Sequence, residues 1–274
     1  MKRSPFYSEI ASYSPSFVTV QGWEVPNEFT SVADEHRAVR ERVGLMDWSS
    51  TGEFEVKGPD ALAVVQRLIV NDASTMLVNR VLYTSILDEA GGILSDITVY
   101  RLAEEHYMLM TAWGSDAAGN RPEYELLEEQ CRGRNASAFD ASPGTGLLAL
   151  QGPQSRALLG QLTPVDLSRL PYMWALPAQV AGVRALISRT GYTGELGYEI
   201  YLREAARGDE LWERIMAAGR PFGLSAGHTS TIRRIEAGMT GKTLLRDFPK
   251  GHMLISSVSR LACASPHRWL FAFT

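Results

Sequence analysis

Cysteine and histidine are scarce in this sequence. Cysteine occurs twice in 274 residues, as Cys131 and Cys263, with no C-x-x-C pair. Disulfide-stabilised folds and structural zinc sites need several such residues at characteristic spacing, so neither is predicted. The five histidines stand apart from one another, and no G-x-S-x-G nucleophile motif accompanies them. We therefore assign no catalytic role to histidine and predict no metal site.

An excess of basic residues is also missing. The chain carries 27 lysine and arginine residues against 31 aspartate and glutamate residues, which gives a formal net charge of −4 at pH 7. Binding to a nucleic-acid backbone depends on clustered positive charge, and this composition does not supply it. Nucleic acid is therefore not an expected partner.

Long apolar runs are absent as well. No stretch of 18 apolar residues occurs, and the basic start MKRSPFYSEI is not followed by the apolar region of a secretory signal. A membrane is accordingly not an expected partner, and the expected location is cytoplasmic. Apolar residues make up 45% and charged residues 21% of the chain, proportions that are typical of a folded globular protein.

The order of the predicted elements indicates an α+β protein. Residues 31–44 have the pattern of a helix, with Ser31 as the N-cap and Gly44 at the end. Three strand-like runs within residues 80–113 are separated by turn residues, which predicts an antiparallel meander. Because helices lie between some of the other strands, we expect antiparallel sheets with packed helices.

A strand, a glycine-proline pair and a helix occur twice in the same order. The first copy is FEVKGPDALAVVQRL at 54–68, and the second is LLALQGPQSRALLGQL at 147–162. Their similarity indicates two related halves. We predict an N-terminal α+β subdomain at 1–145, a second α+β subdomain at 146–240 and an atypical tail at 241–274.

The most specific stretch of the sequence is RTGYTGELGYEIY, at residues 189–201. Its three glycines permit turns and close approaches that a Cβ atom would prevent, while Tyr192 and Glu199 add an aromatic face and a carboxylate. The glycine spacing differs from the dinucleotide fingerprint, and the segment joins two strands rather than a strand and a helix. The pattern favours a flat heterocyclic ligand over a phosphate group.

Asp96 is the one acidic residue in GGILSDITVYRL, an apolar strand-like run at residues 91–102. Apolar neighbours make the charge of such a side chain costly. Considered alone, an aspartate in a strand is more often a solvent-facing residue than a catalyst. Period-two alternation places Tyr100 on the same face of the strand as Asp96, so the two side chains are predicted to share one surface.

Four motifs in the same order resemble the aminomethyltransferase family. This family contains the T-protein of the glycine cleavage system, folate-dependent demethylases, and the folate-binding halves of enzymes that oxidise sarcosine and dimethylglycine. The motifs are DEAGGILSDITVYRL at 88–102, ALQGPQS at 149–155, RTGYTGELGYEI at 189–200 and RRIEAGM at 233–239. The N-terminal segment matches too, so the resemblance extends over about residues 5–240.

The resemblance implies roles for two carboxylates. The family's catalytic aspartate corresponds to Asp96, and its pterin-binding glutamate corresponds to Glu199. An ionised carboxylate accepts two hydrogen bonds from adjacent donors on a planar ring, which a protonated one does not. The implied cofactor is tetrahydrofolate, and the second predicted subdomain would complete its binding site.

The resemblance also implies further residues of the folate site. Tyr83 and Tyr100 fall where the family lines its pocket with tyrosines, although each is equally compatible with a role in the core. Tyr192 belongs to the glycine-rich motif. Arg234 belongs to the RRIEAGM motif, where it would either contact the substrate or pair with Glu236.

The sequence departs from the pattern of the glycine cleavage T-protein in two places. Ser230 stands where the T-protein carries an arginine, and Arg233 directly precedes Arg234. This detail is closer to the demethylase-like relatives than to the T-protein. Family members also continue beyond this motif for on the order of a hundred residues, as a β-barrel of ordinary domain size. Because 35 residues follow Met239 here and none aligns with that domain, we expect the barrel to be missing.

Two functions are compatible with these observations. The first is a folate-dependent one-carbon transferase that moves a methyl or methylene group from an N-, O- or S-linked donor to tetrahydrofolate. Its donor would be a small molecule carrying a methyl or aminomethyl group, or an aminomethyl group on a lipoyl carrier protein. The alternative is a folate-binding module, or a truncated inactive family member, without transfer activity.

Overall fold

The computed structural model describes residues 1–13, 16–116, 118–227 and Glu236, and these ranges contain six α-helices and thirteen strands. The helices are α1 (Tyr7–Tyr13), α2 (Val32–Glu41), α3 (Ala61–Leu68), α4 (Pro122–Cys131), α5 (Ser155–Gly160) and α6 (Gly208–Gly219). The strands are β1 (Ser16–Val20), β2 (Trp23–Glu28), β3 (Val43–Asp47), β4 (Gly52–Lys57), β5 (Val81–Leu87), β6 (Ile93–Ala103), β7 (His106–Thr111), β8 (Ser137–Asp140), β9 (Gly146–Gln151), β10 (Ala175–Val180), β11 (Val183–Ser188), β12 (Gly197–Leu202) and β13 (Leu224–Ala226).

A five-stranded antiparallel sheet has the strand order β5-β6-β7-β4-β8. Strands β5, β6 and β7 pair in succession, so the predicted meander is confirmed. On one face of this sheet, Val56 and Leu109 pack against Val65 of α3 and Leu127 of α4. All four side chains are fully buried, so the two helices cover this face.

A six-stranded sheet has the order β10-β11-β12-β9-β3-β13, and its pairs are antiparallel except for the parallel pair of β3 and β13. On one face, Leu150 and Ile200 belong to a buried cluster with Phe6 and with Trp212 of α6. The helices therefore cover one face of each large sheet, and the described residues have the predicted α+β architecture. None of the sheets in these ranges closes into a barrel.

A buried cluster joins the other faces of the two sheets. It contains Tyr100 and Met108 from the five-stranded sheet together with Tyr201 from the six-stranded sheet. Successive side chains of a strand point to opposite faces, so residues two or four positions apart share a face. Asp96 on β6 and Glu199 on β12 therefore both point into the layer between the sheets, which we call the inter-sheet layer.

The predicted repeat of strand, glycine-proline turn and helix is confirmed. Strand β4 leads through Gly58 into α3, and β9 leads through Gly152 into α5. The two glycines have φ angles of +128° and +132°, which other residues rarely adopt. A Cβ atom on either glycine would lie within 2.6 Å of a backbone oxygen. The two turns thus share one backbone geometry that requires glycine.

The predicted helix at 31–44 is correct at its start and too long at its end. Ser31 caps α2 as predicted, because its Oγ atom accepts a hydrogen bond from the Asp34 amide at 3.1 Å. The helix ends at Glu41, and Gly44 lies inside β3. A Cβ atom at Gly44 would lie 2.5 Å from Cγ2 of Val39 on α2. Gly44 is therefore needed for close packing of the helix on the strand and does not terminate the helix.

The predicted subdivision at residue 145 stays a prediction. Strand β3 comes from the first predicted subdomain, yet it pairs with β9 from the second. The tail at 241–274 and all of 228–240 except Glu236 lie outside the described residues. Within the described ranges, no helix combines the length and apolar character that a bilayer-spanning helix requires.

Candidate functional site

Asp96 is held in the inter-sheet layer by a neighbouring tyrosine. Tyr83 on β5 pairs with Thr98 on β6. Thr98 follows Asp96 by two residues and points to the same face of the sheet, so the side chains of Tyr83 and Asp96 are diagonal neighbours. The Tyr83 hydroxyl donates a hydrogen bond to Asp96 Oδ2 at 3.0 Å, and both residues are half-buried. A carboxylate of this kind is restrained by its partner and still accessible to a ligand.

Glu199 lies deeper in the inter-sheet layer and is 3% exposed. Its Oε2 atom accepts hydrogen bonds from the Tyr100 hydroxyl at 3.0 Å, from Thr190 Oγ1 at 2.7 Å and from the Tyr201 hydroxyl at 2.9 Å. Burial raises the pKa of Glu199 above its ordinary value of 4.5, and these three hydrogen bonds oppose the rise. In the described part of the chain the three donors converge on Oε2, so Oε1 is available to a ligand.

Tyr100 lies on the strand of Asp96 and is hydrogen-bonded to Glu199. It lies four residues after Asp96 on β6, and its hydroxyl reaches across the inter-sheet layer to Glu199. At a rise of about 3.4 Å per residue, the backbone positions of Asp96 and Tyr100 are about 14 Å apart. The two carboxylates therefore occupy separate positions in the inter-sheet layer.

The loop that joins β11 to β12, residues 189–196, forms the margin of this site, and we call it the glycine-rich loop. Its Tyr192 ring lies against the indole of Trp48, with the ring centroids 4.6 Å apart and an interplanar angle of 35°. Trp48 belongs to the buried cluster between the sheets, and Tyr192 packs against that cluster. The loop therefore presents an aromatic surface next to the inter-sheet layer.

Gln151 supports the glycine-rich loop from inside the protein. The side chain is fully buried, its Nε2 atom donates to the Thr190 carbonyl oxygen at 3.2 Å, and its Oε1 atom accepts from Thr193 Oγ1 at 2.8 Å. A Cβ atom at Gly191 or at Gly197 would lie within 2.3 Å of the Gln151 amide group. These glycines permit the loop to approach Gln151 closely, as the sequence pattern predicts.

The structure brings four of the six predicted site residues together in the inter-sheet layer: Asp96, Tyr83, Tyr100 and Glu199. Tyr192 lies at its margin, against Trp48, and Arg234 lies outside the described residues. The ranges described contain no group of three or more His, Cys, Asp or Glu side chains that could hold a metal ion. The catalytic and binding roles of the predicted residues stay predictions.

Two of the donors to Glu199, Tyr201 and Thr190, are not among the residues that the sequence motifs predict. Tyr201 follows Glu199 by two residues on β12, so strand alternation could have placed its side chain on the same face. Thr190 precedes Glu199 by nine residues, and its proximity depends on the path of the glycine-rich loop. No local pattern in the sequence specifies that path.

Glu53 is a further carboxyl group of the inter-sheet layer. It lies on β4 opposite Met110 and is 1% exposed. Its Oε1 atom accepts from Thr51 Oγ1 at 2.8 Å, while Oε2 is buried without a hydrogen-bond partner among the described residues. Burial raises the pKa of Glu53 to about 8, although the Thr51 hydrogen bond and the charge of Arg203 act in the opposite direction. Glu53 is therefore mostly protonated at neutral pH.

We expect the variant Glu53→Gln to gain stability relative to wild type as the pH rises. The folded-state pKa of about 8 lies above the ordinary value of 4.5, so the stability that the protonated group provides is complete below about pH 4.5 and is lost as the pH rises through 8. Glutamine keeps the neutral shape and does not titrate. Between about pH 5 and about pH 9, the free energy of unfolding of wild type should fall by about 2 to 4 kcal/mol relative to the variant, measured by urea denaturation.

Glu210→Gln is the matched control for this experiment. Glu210 lies on α6 and forms surface ion pairs with Arg207 and Arg214. The control should show no comparable gain at alkaline pH. A parallel pH dependence for wild type and Glu53→Gln would show that Glu53 is ionised throughout this range.

Comparison with known proteins identifies the family. A family model described as the GCVT N-terminal domain matches residues 6–243. An aminomethyltransferase of Desulfitobacterium hafniense (strain Y51) is 38% identical over 234 residues, which cover 84% of this chain and 63% of that protein. An aminomethyltransferase of Geobacillus thermodenitrificans (strain NG80-2) is 40% identical over 260 residues, which cover 87% of this chain and 70% of that protein.

Solved structures show the same architecture. The crystal structure of glycine cleavage system aminomethyltransferase T from Bartonella henselae matches with a TM-score of 0.75 and 28% identity, over 87% of this chain and 63% of that one. The heterotetrameric sarcosine oxidase from Corynebacterium sp. U-96 matches with a TM-score of 0.55 and 17% identity, which shows a likeness of fold alone. The chain thus spans 63% of the Desulfitobacterium and Bartonella proteins. The resemblance predicted from the motifs is confirmed, and the chain belongs to the aminomethyltransferase family through its GCVT N-terminal domain.

Proposed function

We propose that this chain is a tetrahydrofolate-dependent one-carbon transferase that binds the reduced pterin in the inter-sheet layer. The observation that carries the proposal is the buried Glu199, which is fixed by three hydroxyl groups and connected through Tyr100 to the strand of Asp96. The curated relatives named aminomethyltransferase support a transferase over a binding module.

The residues of the site fit a pterin ring. Glu199 offers Oε1 as an acceptor, and a carboxylate can accept from adjacent N–H groups of a planar heterocycle. The indole N–H of Trp48 is buried without a hydrogen-bond partner in the described part of the chain. Such an unsatisfied donor calls for a partner such as water or a ligand. The site therefore supplies an acceptor and a donor next to an aromatic surface.

Asp96 would act on the reacting end of the bound pterin. A nucleophilic nitrogen of tetrahydrofolate would form a bond to the transferred carbon, while the bond from that carbon to the N, O or S atom of the donor would break and leave its electron pair on the donor. With an aminomethyl group on a lipoyl sulfur, the methylene carbon would also lose its amino group as ammonia. The Asp96 carboxylate would orient the nucleophilic nitrogen and balance the positive charge that develops during the transfer, and Tyr83 would hold the carboxylate in place. The two sheets would limit access of water to the reacting groups.

We propose an aminomethyl group as the first donor to test, on a lipoyl carrier or on a small molecule. The names of the curated relatives support this choice. Ser230 and the pair Arg233 and Arg234 favour a demethylase-like donor instead, and these three residues lie outside the described ranges. Donors with N-, O- and S-linked methyl groups therefore belong in the same assay.

Calorimetric titration with tetrahydrofolate, followed by a product assay, tests the proposal. The assay would detect methylenetetrahydrofolate from an aminomethyl donor and methyltetrahydrofolate from methylated donors. Binding with product formation is the expected result. Binding without product from any donor would favour the folate-binding module, and no binding would contradict the transferase and favour a truncated inactive family member.

A further inference from the structure

One arginine attaches the glycine-rich loop to helix α2. Arg40 Nη1 donates to the Thr193 carbonyl oxygen at 2.5 Å and to Glu195 Oε1 at 3.1 Å. Thr193 and Glu195 flank Gly194, where the chain adopts a left-handed φ of +79°. The Arg40 side chain is 22% exposed, so these charge-assisted hydrogen bonds are partly shielded from water. Arg40 therefore binds the loop on both sides of its left-handed residue.

The same guanidinium group also binds Glu236. Arg40 Nε and Nη2 lie 3.1 Å and 2.8 Å from Glu236 Oε2. His36, one turn earlier on α2, places Nε2 3.1 Å from the same oxygen. A guanidinium group presents donors in several fixed directions, whereas the ammonium group of lysine is a point charge. Arg40 thus joins the glycine-rich loop and Glu236, which are distant from each other in the sequence, to one helix.

We infer that Arg40 is a positioning residue for the ligand site of the inter-sheet layer, an inference that rests on the proposed function. The glycine-rich loop carries Thr190 and Tyr192 and leads into the strand of Glu199. Gln151 holds the loop from inside, and Arg40 holds it from outside. Without Arg40 the loop keeps its inner contacts and loses its attachment to α2, so Tyr192 and the donor Thr190 are less restrained.

The variant Arg40→Gln tests this role, with Arg37→Gln as the matched control. Arg37 lies on the same helix and forms its ion pair with Asp34. We expect hydrogen–deuterium exchange of amides 190–197 to increase about tenfold in ligand-free Arg40→Gln, because several charge-assisted hydrogen bonds are lost. The Kd for tetrahydrofolate should rise about tenfold as well. Arg37→Gln should match wild type in both measurements.

A conservative variant separates positioning from simple stabilisation. Arg40→Lys keeps the charge and loses the forked geometry, so it should restore part of the affinity that Arg40→Gln loses. Partial rescue, together with exchange that increases only in the glycine-rich loop, would support the inference. An increase spread evenly over the whole chain would overturn it, because that pattern belongs to a purely structural residue.

The two readouts distinguish failure of this inference from failure of the proposed function. Unchanged exchange in Arg40→Gln would overturn the inference with no ligand present. Faster loop exchange with an unchanged Kd would overturn the connection between the loop and binding. Failure of the wild-type chain to bind tetrahydrofolate would contradict the proposed function, and the exchange measurement would still decide whether Arg40 restrains the loop.

Discussion

Asp96→Asn should lower the rate of one-carbon transfer by about 10²- to 10⁴-fold and leave the Kd for tetrahydrofolate within about threefold of wild type. Asparagine has nearly the same shape, and its Oδ1 atom can still accept a hydrogen bond from Tyr83. It lacks the negative charge that would balance the developing positive charge on the reacting nitrogen. The effect should therefore fall on kcat, measured with whichever donor supports turnover, and Kd is measured by calorimetry.

Two further variants should have no effect and a smaller effect, respectively. Asp88→Asn makes the same substitution in the turn of the β5–β6 hairpin, where the exposed Asp88 accepts hydrogen bonds from the Ala90 and Gly92 amides, and it should keep full activity. Tyr83→Phe removes the hydroxyl group that restrains Asp96 and should reduce kcat less, by about three- to tenfold. Full turnover in Asp96→Asn with normal folate binding would remove Asp96 from the mechanism.

Glu199→Gln should weaken tetrahydrofolate binding by about a hundredfold, equivalent to nearly 3 kcal/mol. Glutamine replaces one acceptor oxygen of the carboxylate by an NH2 donor and removes the charge. In one orientation of the side chain the NH2 group would face the N–H donors of the pterin. In the other orientation it would face the hydroxyl donors of Tyr100, Thr190 and Tyr201. Calorimetry at neutral pH measures the loss, and Glu210→Gln, on the surface of α6, should bind as wild type does.

The pH dependence of the Kd for tetrahydrofolate is a second test of the role of the Glu199 carboxylate. Because burial raises the pKa of Glu199 above 4.5, the carboxylate form is lost at a higher pH than in an ordinary glutamate. Binding that requires the carboxylate should weaken as the pH falls through that raised pKa, and Glu199→Gln should lack this component. An identical pH dependence in wild type and variant would show that the ionisation of Glu199 does not govern binding.

Local patterns in the sequence predict a large part of the site. Strand alternation places Asp96 and Tyr100 on one face of β6, and the glycine spacing predicts the close approach of the loop that precedes Glu199. Both properties depend on residues within a few positions of each other. The structure has them where the sequence predicts them.

Contacts between distant segments could not be predicted in this way. The hydrogen bond between Tyr100 and Glu199 joins residues 99 positions apart, and the hydrogen bond from Arg40 to Thr193 joins residues 153 positions apart. Such pairs depend on how two sheets pack, which periodicity within one segment does not encode. For the same reason the predicted end of α2 is wrong. Residues 43–47 form strand β3 because they pair with β9 and β13, and their own sequence pattern does not indicate a strand.

The position of β3 has a consequence for the way in which the chain folds. This early strand lies between β9 and β13, so residues 43–47 find their two partners only after about a hundred and about 180 further residues have been synthesised. At about 5 to 20 residues per second, β3 emerges from the ribosome at least several seconds before β13. Until β9 and then β13 have been synthesised, the backbone N–H and C=O groups along the edges of β3 lack their native partners and can pair with other chains. We therefore expect the nascent protein to depend on chaperones more than a protein of equal size whose sheets pair locally.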